Sequence, residues 1–154
     1  MQKEEEELRR LLVEIRVLEG TAESLQSRLN FVNAALTELN LANGTLEGLE
    51  KEKTDASLFV PIGGGSYIRT KLESADKVIY GIGAGISIEK TIKEAKEGVS
   101  NRISELTKTR LSLEQQLTQV LRRIQEDRSY LQRLTSKLNQ EARTSDVRKT
   151  SRGT

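Results

Sequence analysis

The sequence contains no cysteine, no histidine and no tryptophan among its 154 residues. The lack of cysteine excludes disulfide bonds, a thiolate nucleophile and cysteine-ligated metals. The lack of histidine removes the commonest metal ligand and general base. Nucleotide-loop patterns also fail, because Ile86 stands where G-x-G-x-x-G requires its third glycine. We therefore expect no cofactor, no metal and no enzymatic activity.

Aromatic residues make up only 3% of the chain, and 35% of it is hydrophobic against 31% charged. This composition is too polar for one compact core and is typical of disordered chains or of long helices that bury a narrow stripe. No apolar run reaches the length of a membrane span and no signal segment is evident, so we expect a cytoplasmic protein without membrane contact. The 25 basic and 23 acidic residues are interspersed, which argues against a nucleic-acid partner.

The two flanks of the sequence have apolar residues at a seven-residue period. In the N-terminal flank, the a and d positions begin at Leu8 and Leu11 and stay apolar for about five heptads. In the C-terminal flank, the same seam runs from Ile92 to Leu138 and includes the charged residues Arg110 and Asp127. Such unbroken spacing predicts a coiled coil.

The two predicted helices are similar in length, at roughly 50 residues each, or about 75 Å. Thr91 and Glu94 fit a capping box that starts the second helix. Helices of equal length joined by a central connector can run antiparallel, which would place Leu8 near Leu138.

The centre of the sequence, residues 56–90, is apolar and rich in glycine. Glycines crowd into two loops, where a positive φ is needed for the chain to reverse, and this predicts two consecutive β-hairpins. Pro61 cannot donate to a ladder and therefore predicts an edge or irregular strand. The four strand-like runs are Leu58 to Ile62, Tyr67 to Leu72, Val78 to Ile82 and Ile86 to Ile88.

Nine apolar side chains of this segment are too many for the solvent face of so small a sheet. The helices are expected to use their narrow stripes on each other and to leave these side chains uncovered. We therefore predict that hairpins of several chains close into a shared sheet or barrel. The predicted assembly residues are Phe59, Val60, Ile62, Tyr67, Ile68, Val78, Ile79, Tyr80 and Ile82.

Apolar residues also lie outside the predicted seam near the N-terminus, at Leu12, Val13 and Val17. The free ends of a two-helix arm should leave their last seam residues only partly covered. Exposed apolar groups on a polar support can hold the unburied apolar surface of other proteins. The candidate residues for binding unfolded protein are Leu8, Leu11, Leu12, Val13, Ile15, Leu131, Leu134 and Leu138. The alternative is a fraying helix end with ordinary surface apolar residues.

The central stretches FVPIGGGSYIRTKL and KVIYGIGAGISIEK resemble the signature of the alpha-class prefoldins. The resemblance is specific for these roughly thirty residues, and the predicted helix, double hairpin, helix order extends it over nearly the whole chain. The matching residues are Pro61, Gly63, Gly65, Ser66, Ile68, Leu72, Val78, Ile79, Gly83, Gly85, Glu89 and Lys90.

This resemblance implies a hexameric chaperone, in which two alpha and four beta subunits share a platform of hairpins. It further implies that non-native proteins are captured at the tips of the coiled coils and passed to a group II chaperonin without ATP. Some alpha-class relatives instead form filaments, so a self-assembling structural protein is the alternative function.

The predicted fold class is α+β, mainly α: a long antiparallel two-helix coiled coil with two central β-hairpins. The predicted segments are an N-terminal helix over residues 1–55, a double hairpin for oligomerisation over residues 56–90 and a C-terminal helix over residues 91–143. Residues 144–154, which are polar and lack periodicity, are predicted to form a disordered tail.

Overall fold

The computed structural model describes residues 2–150 and has the predicted order of helix, two hairpins and helix. The elements are α1 (Gln2–Leu49), β1 (Ser57–Gly63), β2 (Ser66–Lys71), β3 (Lys77–Gly83), β4 (Ile86–Thr91) and α2 (Ile92–Thr150). The predicted fold class is thereby confirmed. Val32–Thr109 forms one compact unit, the hairpin unit, and the described residues on either side of that range form a second one, the terminal unit.

The core of the terminal unit is the predicted heptad seam. Its buried apolar residues come from the a and d positions of both helices, because a seven-residue repeat keeps one stripe of each helix facing the other. They are Leu11, Ile15, Leu25 and Leu29 of α1 and Leu113, Ile124 and Leu134 of α2. One charged residue, Asp127, is buried in the same seam.

The hairpin unit has its core where the helices meet the hairpins. Leu46 of α1 packs with Ala95 and Val99 of α2 in one buried cluster. The first turn of α2 has the predicted capping box, in which Thr91 N donates to Glu94 Oε2 over 3.0 Å and Glu94 N donates to Thr91 Oγ1 over 3.2 Å. These bonds satisfy amide groups that have no partner within the helix.

The two hairpins form separate two-stranded antiparallel sheets. In each, the ladder shifts register beside the loop, between Pro61 and Gly63 in the first hairpin and between Gly81 and Gly83 in the second. Gly64 has a φ of 56°, and Ala84 at the equivalent place in the second loop has a φ of 50°. The glycine-rich loops therefore reverse the chain with positive φ, as the sequence predicts, and β1 with its proline is an edge strand.

Two helix ends differ from those expected. α1 ends at Leu49 and not at residue 55, because the next seam positions, Glu50 and Lys53, have no apolar surface to bury. α2 continues to Thr150, whereas the sequence predicted a disordered tail from residue 144. Residues 144–150 include no glycine or proline that would end a helix. The loss of the seven-residue period at residue 144 therefore did not coincide with the end of α2. Residues 151–154 of that predicted tail lie outside the described residues.

Candidate functional site

The terminal unit exposes a small group of apolar side chains on α1. Leu12, Val13 and Val17 lie on its surface, with Val13 64% and Val17 63% exposed. Val13 and Val17 are four residues apart and therefore neighbours on one face of the helix. Because they lie outside the seam, the partner helix does not cover them. We call these three residues the exposed tip cluster.

The other candidate residues for binding unfolded protein lie deeper than the sequence predicts. Leu11, Ile15 and Leu134 are each only 7% exposed, so they are core residues of the terminal unit. The expectation that they would be only partly covered is wrong, because the two helices remain paired as far as these positions. Half-buried members of the predicted set are Leu8, Leu131 and Leu138.

Polar contacts pair the helices of the terminal unit around this seam. Arg123 Nη2 donates to Glu14 Oε1 over 3.1 Å, and Tyr130 Oη donates to a glutamate of α1, Glu7, over 2.8 Å. The hydrogen bond to Glu7 raises the pKa of Tyr130, because losing the phenolic proton would break it.

The end of this unit is paired in the same way. Lys137 Nζ lies 2.6 Å from Glu4 Oε1, and this bond lowers the pKa of Glu4 and raises that of Lys137. Because Lys137 is exposed and Glu4 only half-buried, water screens this pair and it contributes little to stability.

The hairpins expose most of the predicted assembly residues. Both sheets have only two strands, so each strand also has a free edge within the described chain. Small two-stranded sheets are marginally stable in water, and their apolar faces need cover from elsewhere. The exposed assembly residues are Phe59, Val60, Ile62, Tyr67, Ile68, Ile79 and Ile82. Ile86 and Ile88 of β4 are also exposed and extend this surface, although the predicted set omits them.

Val78 and Tyr80 depart from the predicted set because their own chain covers them. Both are half-buried and pack against the cluster of Leu46, Ala95 and Val99. The expectation that the helices leave the whole central segment uncovered is therefore wrong for these two residues of β3. The reason is local geometry. Val78 and Tyr80 are two residues apart on β3, so their side chains lie on the same face of the strand, and both pack against the start of α2.

Tyr80 is held by residues that sequence reasoning missed. The Cζ atom of Arg102 lies 4.6 Å from the centre of the Tyr80 ring, and Lys90 Nζ lies 4.7 Å from it. Arg102 Nη2 also donates to the carbonyl oxygen of Gly81 over 2.7 Å. A cation that contacts both ring and backbone ties the second hairpin to α2.

Gly98 provides the space for this arrangement, since a β-carbon there would stand 2.6 Å from Tyr80 Oη. Gly98 lies outside the a and d positions of the C-terminal heptads, so the seven-residue period assigns it no partner. The signal available in the sequence was the free-energy cost of a glycine inside a helix. Such a glycine often has a packing reason.

Other kinds of site find no support in the part of the chain that the structure describes. Within it, no three acidic residues come close enough together to hold a metal ion. None of the described helices is apolar over a length sufficient to span a membrane.

Comparison with known proteins identifies similar chains. A family model described as "Prefoldin subunit" matches residues 18–137, a range that includes both hairpins. Prefoldin subunit alpha of Methanopyrus kandleri is 34% identical over 113 residues, which are 73% of this chain and 72% of that protein. Prefoldin subunit alpha of Pyrococcus horikoshii is 31% identical over 134 residues, which are 82% of this chain and 90% of that protein.

A solved structure has the same fold. The cryo-EM structure of filamentous PFD from Methanocaldococcus jannaschii superposes with a TM-score of 0.63 at 27% sequence identity. The alignment covers 73% of this chain and 93% of the other. Both kinds of similarity extend over most of the helices and are not restricted to the glycine-rich centre.

Proposed function

The chain belongs to the prefoldin family of chaperone subunits, and from this premise we propose that it captures non-native proteins at its terminal unit and delivers them to a group II chaperonin without using ATP. The observation that supports this proposal is the exposed tip cluster. Leu12, Val13 and Val17 present apolar surface on a helix whose seam is already buried. Apolar groups grouped in this way favour contact with the apolar surface of another polypeptide.

We also propose that the hairpins are the assembly surface and that the partners are prefoldin beta subunits, two alpha with four beta, in the cytoplasm. The apolar residues of the first hairpin are exposed on both faces, with Phe59 and Tyr67 on one and Val60 and Ile68 on the other. A hairpin of this kind is stable only when other strands or chains cover it. Sheet edges without a neighbour are the natural place for such strands to add.

A second candidate function is a filament built from copies of this chain alone. It is favoured by the similarity to the filamentous structure from Methanocaldococcus jannaschii. Sizing the purified chain by light scattering, first alone and then with a beta subunit, separates the two functions. A series of large species without the beta subunit supports the filament, and a single complex formed only with it supports the chaperone hexamer.

The capture proposal is tested with a variant that replaces Leu12, Val13 and Val17 by serine. We expect this variant to assemble as before but to lose most of its ability to prevent aggregation of chemically denatured citrate synthase, measured by light scattering. The matched control is Phe31→Ser, which removes an isolated side chain that is 77% exposed on the same helix. Deleting about 12 N-terminal residues should have the same effect as the serine variant, since it removes part of the cluster. Full protection by the serine variant would contradict capture at this surface.

A further inference from the structure

The two hairpins are joined to the helices in different ways. β4 ends at Thr91 and α2 begins at Ile92, so the second hairpin continues directly into its helix. The first hairpin has an irregular segment on each side, residues 50–56 after α1 and residues 72–76 before β3. The backbone therefore restrains the second hairpin at the helix and gives the first hairpin no such support.

Side-chain contacts reinforce the connection of the second hairpin to α2. Val78 and Tyr80 of β3 pack against the buried cluster formed by the two helices. Arg102 Nη2 of α2 donates to the carbonyl oxygen of Gly81 over 2.7 Å, and its guanidinium also lies against the Tyr80 ring. We call these contacts of Val78, Tyr80 and Arg102 the α2 tether. They bury apolar surface of the second hairpin within its own chain, which stabilises this hairpin before any partner binds.

The first hairpin is held by contacts between its own strands. The Cζ atom of Arg69 lies 5.4 Å from the centre of the Phe59 ring, and these two residues face each other across the ladder. Five of its apolar side chains are between 42% and 66% exposed: Phe59, Val60, Ile62, Tyr67 and Ile68. A two-stranded sheet with an uncovered apolar surface is marginally stable in water.

Backbone strain does not account for the difference between the hairpins. Asp55, beside the first hairpin, has a φ of 68°, and Ala84, in the loop of the second, has a φ of 50°. Residues with a β-carbon rarely adopt such left-handed conformations, so each of these two positions costs stability. Since one strained residue accompanies each hairpin, the α2 tether is the feature that separates them.

We propose that the first hairpin opens readily in the single chain and becomes ordered when assembly covers it, whereas the second hairpin is already folded before assembly. The second hairpin then offers a preformed sheet edge to a neighbouring subunit. Part of the free energy of association is used to order the first hairpin, so this part of the interface binds more weakly for its area. The inference rests on the proposed role of the hairpins in assembly and adds an order of folding to it.

The test is amide hydrogen exchange of the full-length chain, alone and with a beta subunit, over a dilution series that continues until native mass spectrometry gives the mass of one chain. In the single chain we expect amides of β1 and β2 to exchange at least about tenfold faster than those of β3 and β4. Protection of the first hairpin should rise with the assembled fraction, while that of the second changes little. Equal protection of both hairpins in the single chain would overturn the proposal.

The α2 tether is tested by Arg102→Gln, which removes the cation from the Tyr80 ring and the bond to Gly81. We expect amides of β3 and β4 in the single chain to exchange severalfold faster. Arg102→Lys keeps a cation and should give an intermediate rate, which guards against a general fold defect. The matched control is Arg69→Gln, whose contact lies within the first hairpin and which should leave the second hairpin unchanged. Unchanged exchange of β3 and β4 in Arg102→Gln would also overturn the proposal.

The mass measurement separates failure of this inference from failure of the proposed function. If particles form from chains in which both hairpins are already protected, the assembly proposal stands and the inference is wrong. If no particle forms at any concentration, alone or with a beta subunit, the assembly proposal is wrong and the inference is wrong with it.

Discussion

The Tyr80 ring lies over Gly98 of α2, at a distance that leaves no room for a β-carbon on the glycine. The contact joins a strand to a helix, and Arg102 reinforces it by bonding the carbonyl of Gly81 next to the tyrosine. It holds the second hairpin against its own chain, whereas most apolar residues of the first hairpin, among them Phe59, Val60 and Ile68, remain exposed. The two hairpins therefore differ in their support, although their loops and ladders are alike.

This contact predicts that Gly98→Ala reverses the usual effect of such a change. Alanine in place of glycine inside a helix normally stabilises by about 1 kcal/mol. Here the new β-carbon would stand 2.6 Å from Tyr80 Oη and displace the ring, so we expect a lower midpoint of urea denaturation and weaker assembly. Circular dichroism and light scattering measure the two effects.

The control for this prediction is Gly44→Ala, where nothing lies within 4 Å of the new β-carbon and the ordinary stabilisation is expected. A double variant that adds Tyr80→Phe to Gly98→Ala removes the closest atom and should recover part of the loss. Equal stabilisation by Gly98→Ala and Gly44→Ala would show that the ring does not depend on the glycine.

Substitutions in the first hairpin are expected to weaken assembly without reducing the helix content of the chain. Val60 and Ile68 lie directly opposite each other on one face of the ladder, and both are exposed. Replacing both by serine removes apolar surface that only another chain can cover, so we expect a smaller particle by light scattering and an unchanged helical signal. Lys71→Ser, on the same hairpin, replaces a side chain that is already polar and should leave the particle mass unchanged. A double serine variant of full mass would exclude this face from the interface.

The seam and the hairpins could be predicted from the sequence because each depends on a regular local pattern. A period of seven marked Leu25 and Leu113 as core residues, and glycine runs marked the two loops. The same pattern correctly separated Leu12 from its buried neighbour Leu11. The burial of Leu11, however, depends on how far the two helices remain paired, and no residue within one helix reports that.

The contact between Tyr80 and Gly98 could not be predicted, for a different reason. Hydropathy treats Tyr80 like the other apolar residues of its strand, and helical periodicity places Gly98 outside the seam. Their relationship exists only after β3 has been laid across α2, which is a property of tertiary packing. Asp127 is similar: its heptad position was visible in the sequence, but the lack of a hydrogen-bond partner for its buried Oδ2 among the described residues was not.

Two nearby leucines of α2 in the terminal unit are expected to contribute very differently to the free energy of unfolding. Leu113 is 3% exposed in the seam, and Leu111 is 49% exposed on the outer surface. Leu113→Ala should therefore lower the free energy of unfolding by about 3 kcal/mol, through lost burial and the cavity left behind. Leu111→Ala should change it by less than about 0.5 kcal/mol. Urea denaturation followed by circular dichroism measures both, and similar losses would contradict the assigned seam.

The capping box predicts how the chain responds to acid. Glu94 Oε2 accepts hydrogen bonds from Thr91 N and Thr91 Oγ1, each over 3.0 Å, and these bonds lower the pKa of Glu94 below its ordinary value of 4.5. A carboxylate whose pKa is lowered by folding stabilises the folded state above pH 4.5, and this contribution is lost as the pH falls through the lowered value. Glu94→Gln keeps a hydrogen-bonding side chain but has no charge to titrate.

We therefore expect Glu94→Gln to lower the urea midpoint at pH 7 and to have little effect at pH 2.5. Other acidic groups, Glu4 among them, also titrate in this range, so the quantity to follow is the difference between the unchanged chain and the variant. The comparison can be repeated in chains that carry Thr91→Val, which lack the hydroxyl donor. In them Glu94→Gln should have a smaller acid-dependent effect, because one of the two bonds to Glu94 is gone. Parallel curves for the unchanged chain and Glu94→Gln across this range would mean that the first turn of α2 does not depend on the ionised carboxylate. Since that turn begins at the end of β4, such a result would also remove the cap as a reason for the position of the second hairpin.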